Sequence, residues 1–76
     1  MDEILLHLNG IRPEANFAAS NDFIADGLLD SFDVVTLVAA FDKGYRISIA
    51  GTDIIPEHFQ NLTTIAALLR KYGVQA

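Results

Sequence analysis

Between Asp30 and Gly44 apolar residues return every three or four positions, at Phe32, Val35, Leu37 or Val38, Phe41 and then Tyr45. That spacing lays them along one face of an amphipathic helix, with Asp33, Thr36, Ala40 and Lys43 toward the other side and Gly44 as the expected stop. Residues 1–9 read as a shorter helix: Ile4, Leu5 and Leu8 share a face, Asp2 and Glu3 occupy the first turn, and Gly10 ends it. Pro13 disfavours helical geometry at Arg12, so residues 10–25 are expected as a long loop pinned to the core by Phe17, Phe23 and Ile24. Tyr45 to Ile49 alternates like a strand but has no partner strand, so it reads as an extended connector burying Ile47 and Ile49, followed by a turn over Ala50 to Asp53. Pro56 and Glu57 suit the start of a short third helix reaching Phe59. Asn61 caps a last helix over Leu62 to Tyr72, with Ile65, Leu68, Leu69 and Tyr72 on its buried face, Arg70 and Lys71 at its C-terminal end and Gly73 beyond. The expectation is an all-α fold, a small four-helix bundle with a long first loop and a short third helix, forming one domain over residues 1–76.

Composition narrows this. A chain of 76 residues hides only about 60% of the surface its unfolded form exposes, so the core is small. Hydrophobic residues make up 51% and charged residues 20%, which fits a folded domain and not a disordered tail. Without cysteine there are no disulfides, thiolate metal sites or cysteine nucleophiles. Ten acidic against five basic residues, net −5, argue against nucleic acid, which needs clustered Lys and Arg, and suit partners with basic docking surfaces. No apolar run is long enough for a membrane span and no signal-peptide layout is present, so a cytoplasmic address and a monomer are expected.

The candidate chemistry lies in Asp26-Gly27-Leu28-Leu29-Asp30-Ser31-Phe32-Asp33-Val34-Val35. An Asp-Ser pair directly before the apolar run is how a helix start is written, and on local sequence alone capping is its commonest use. A hydroxyl in that position is presented to solvent beside unpaired backbone N–H groups and the positive end of the helix dipole, where an attached phosphate is favoured.

Residues 26–41 resemble the serine-bearing stretch of acyl carrier proteins, in which an Asp-Ser-(Leu, Met or Phe) triplet opens the second helix; here it is Asp30-Ser31-Phe32. Tyr45-Arg46-Ile47-Ser48-Ile49 resembles the aromatic-x-Ile-x-Ile that follows, Ile54 to Phe59 the short third helix, and Asn61 to Leu69 the fourth. The likeness runs in order over residues 26–72, while the N-terminal third matches only in general character. It implies a discrete acyl or aminoacyl carrier whose Ser31 bears 4′-phosphopantetheine, placed there from coenzyme A by a phosphopantetheinyl transferase, with Asp30 supporting the modification. Acyl groups would ride as thioesters on that arm between loading and acyl-transfer enzymes, and the chain would not itself be an enzyme. Partners would dock on Phe32, Asp33, Val35, Thr36 and Ala39. This helix offers mainly Asp33 and Asp42 as acids, fewer than carriers of fatty acid synthesis often show, and the Leu28 to Asp33 wording is closer to stand-alone carriers, D-alanyl carriers included. Val35, Ala39, Ile54, Phe59 and Ala66 would line a cleft for an acyl chain, with plain core packing as the competing reading.

Other constellations are weaker. Asp26, Asp30 and Asp33 lack calcium-loop spacing, and His7 and His58 have no second ligand three or four residues away, so no metal site is expected. A Ser31, His58, Asp53 hydrolase lacks a G-x-S-x-G elbow and a loop for an oxyanion. An unmodified helical adaptor, binding a partner through the second helix, is the main alternative to the carrier.

Overall fold

The computed structural model describes residues 2–76, Asp2 by its backbone alone; Met1, the expected start of the first helix, lies outside the described residues. Among the described residues there are three α-helices: α1 (Asp2–Ile11), α2 (Ser31–Tyr45) and α3 (Leu62–Lys71). Three 3-10 turns, Phe17–Ala19, Gly51–Asp53 and Pro56–Phe59, complete the regular structure, and no strand occurs among the described residues.

The expected count of four helices is corrected to three. Pro56 to Phe59 forms a single 3-10 turn, opened by the extended Ile55 and carrying an i to i−3 bond from the His58 N–H to the Ile55 carbonyl (3.1 Å). The chain has no room for more, because Asn61 must already be extended to cap α3. Three helix ends also differ, α3 stopping at Lys71 with Tyr72 as its C-cap. α1 continues through Gly10 to Ile11, and Pro13 is the residue that stops it, since it restricts Arg12. α2 continues through Gly44 to Tyr45, and the left-handed residue that ends it is Arg46, with φ 56°. Gly44 sits within the helix beside α1, where a Cβ would meet Cε1 of His7 at 3.4 Å, an ordinary contact distance.

Side chains from every segment share one core. Ile4 and Leu8 of α1 meet Val34, Leu37, Val38 and Phe41 of α2 and Ile65, Ala66, Leu68 and Leu69 of α3. Phe59 closes the cluster from the 3-10 turn. The long first loop is pinned as expected: Phe17 and Phe23 are buried and meet edge to face, with ring centroids 5.0 Å apart, an arrangement worth about 0.5–1.5 kcal/mol beyond the area buried. The Phe23 N–H also donates to the Gln60 carbonyl (2.6 Å), tying the loop to the segment before α3.

The buried face of α2 is rotated from the one the spacing suggested. Val34, Leu37, Val38 and Phe41 are inside, whereas Phe32 is 77% and Val35 60% exposed. A row built on steps of three turns by about 60° per step around an α-helix, so the series 32, 35, 38 leaves the core at its N-terminal end. The pattern centred on residues 34, 37, 38 and 41 stays in line.

Candidate functional site

The site is the start of α2 and the loop leading into it. Residues 22–26 make one helical turn that Gly27 ends in the left-handed region, with φ 74°. That reversal lets the N–H groups of Leu28 and Leu29 both reach the Phe23 carbonyl, at 2.8 and 3.0 Å. The Ser20 hydroxyl donates to Asp26 Oδ2 (2.6 Å) and Asp22 Oδ1 accepts from the Ala25 N–H (3.0 Å), so the acids of this loop are spent on shaping it. Leu29 is then buried, and the next two residues are at the surface.

Asp30 is the N-cap, in extended geometry. Its Oδ1 accepts from the Asp33 N–H (2.8 Å), and Asp33 Oδ2 accepts in return from the Asp30 N–H (3.2 Å). Two of the four unpaired donors of the helix start are satisfied by this reciprocal box. Because Asp30 is the cap, Ser31 is the first helical residue, and it is exposed.

A third side chain joins the box from the end of α1. Arg12 Nε donates to Asp33 Oδ2 (2.9 Å), Nη2 forms an ion pair with the same oxygen (2.8 Å), and Nη2 stands 3.5 Å from Asp30 Oδ2. Nη1 lies 3.6 Å from Glu14. Partial burial works to raise the Asp33 pKa, but the hydrogen bond and charge of Arg12 and the Asp30 N–H outweigh it and hold the carboxyl below its usual range. The Arg12 guanidinium is raised in turn, chiefly by its bond to Asp33. Sequence reasoning used Arg12 only as the residue before a proline. Its signal was a lone cation in a stretch where the other charged residues, Glu14, Asp22 and Asp26, are acids.

Of the residues expected to dock partners, Phe32, Val35, Thr36 and Ala39 are exposed, and Asp33 is half-buried beneath Arg12. Thr36 Oγ1 donates back to the Phe32 carbonyl (3.1 Å). Asp42 is also engaged internally, accepting the Ile49 N–H on Oδ1 (3.0 Å). The exposed stripe that starts beside Ser31 is therefore almost free of unpaired charge. The five residues assigned to an acyl cleft are not gathered around an opening. Phe59 and Ala66 are fully buried, Ile54 is half-buried, and Val35 and Ala39 face solvent. An open groove of about 560 Å³ lies elsewhere, between α1 and α2, where Leu6, His7, Ile11 and Tyr45 surround Gly10, Ala40 and Gly44.

Asp53, His58 and Ser31 are not brought together as a catalytic set. His58 Nδ1 pairs with the Asp53 main-chain carbonyl (2.8 Å), and the Asp53 carboxylate takes Lys71 Nζ on both oxygens, at 3.0 and 2.9 Å, together with the Tyr72 hydroxyl. That hydroxyl also accepts the Ala50 N–H (2.9 Å). Tyr72 first and Lys71 second hold the Asp53 carboxyl below its ordinary range. His7 packs edge-on against Phe41 and tilted against Tyr45. No helix among the described residues is long and apolar enough to cross a membrane.

Comparison of the chain with models of protein families, with curated proteins and with solved structures found no match.

Proposed function

We propose that the protein is a discrete acyl or aminoacyl carrier that holds its cargo as a thioester on a 4′-phosphopantetheine arm attached to Ser31. The observation that carries this reading is the division of labour at the start of α2: Asp30 does the capping, and Ser31 is left exposed at the first helical position. In the modification, Ser31 Oγ forms a bond to the phosphorus of the phosphopantetheinyl group. The pyrophosphate linkage of coenzyme A breaks, adenosine 3′,5′-bisphosphate leaves, and the hydroxyl proton passes to the transferase or to water. The added phosphodiester would lie at the positive end of α2. The chemistry would then belong to the arm's thiol, the sulfur this cysteine-free chain lacks.

In this reading the Pro56–Phe59 turn stands where a carrier has its short third helix, and the exposed Phe32, Val35, Thr36 and Ala39 receive the transferase and the loading and acyl-transfer enzymes. The work would be done by a monomer in the cytoplasm. The exposure of Phe32 and Val35 favours one further reading, an unmodified adaptor that binds a partner protein through the same stripe.

Incubation with coenzyme A and a broad-specificity phosphopantetheinyl transferase, followed by intact-mass measurement, separates the two. The carrier gains one phosphopantetheinyl group, and Ser31→Ala gains none. An unchanged mass with a transferase shown to be competent on another carrier leaves the adaptor.

A further inference from the structure

We draw no further inference here: the strongest candidate, the open groove between α1 and α2 where Leu6, His7, Ile11 and Tyr45 surround Gly10, Ala40 and Gly44, is an unpartnered apolar face, and nothing in the structure shows what covers it.

Discussion

Two clusters of charge and hydroxyl lie in different parts of this molecule and are resolved in opposite ways. At the Asp53 cluster the hydroxyl of Tyr72 is fully spent, donating to the carboxylate and accepting the Ala50 N–H, while Lys71 covers both carboxylate oxygens. At the start of α2 the carboxylates of Asp30 and Asp33 are equally engaged, by backbone N–H groups and by Arg12, but the hydroxyl between them in sequence is at the surface. One cluster uses its oxygen to fasten the segment before the Pro56 turn onto the end of α3. The other completes its bonding without its serine. A polar network that satisfies its members without its serine leaves that hydroxyl to solvent.

The sharpest way to break this contrast is to remove one member from each cluster and compare melting temperatures. Asp53→Ala strands Lys71 and the Tyr72 hydroxyl together and should lower the melting temperature by several degrees. Ser31→Ala should stay within roughly 0.5 kcal/mol of wild type, the range of surface substitutions that touch no cap or core. Comparable losses from the two would mean that Ser31 is also structural.

Acid titration of stability sharpens the same comparison. Asp53 and Asp33 both have folded pKa values below the ordinary one. Each therefore contributes stability that is present above the unfolded value of about 3.9 and lost as pH falls through the lower folded value. Denaturation followed from pH 6 downward should show this loss only below about pH 4, and Asp53→Asn should flatten that limb. An unchanged acid limb in Asp53→Asn would show that the Lys71 and Tyr72 bonds do not favour the ionised carboxylate. The smallest expected effect on stability is that of Phe32→Ala, within roughly 0.5 kcal/mol because the ring is already exposed. Its modification rate should nonetheless fall several-fold at any salt concentration, since the stripe it heads carries almost no free charge. A strongly salt-dependent loss would point to a charged contact instead.

Much of the architecture was legible because it is written in local chemistry. Asp30 and Asn61 cap their helices with reciprocal boxes, Gly73 takes the left-handed position after α3 with φ 87°, and Phe17 and Phe23 pin the first loop. The features that were missed depend on contacts between distant segments. Gly44 has the same local signature as Gly73, yet it lies inside α2, with His7 of α1 beside it. Phe32 and Val35 fit a helical repeat as well as Val34 does, and only the position of the core selects between the two rows. Arg12 meets Asp33 across 21 residues and Asp53 meets Lys71 across 18, separations at which a lone charge carries no mark of its partner.

Arg46 turns left-handed without being a glycine, at a conformational cost of about 1–2 kcal/mol. Asp42 takes three N–H groups of this elbow, those of Arg46 and Ile47 (3.1 Å) on its carbonyl and that of Ile49 (3.0 Å) on its side chain, while Ile49 is drawn into the core. One aspartate near the end of the serine-bearing helix thus sets both where that helix stops and where the chain doubles back to deliver Ile49 to the shared interior.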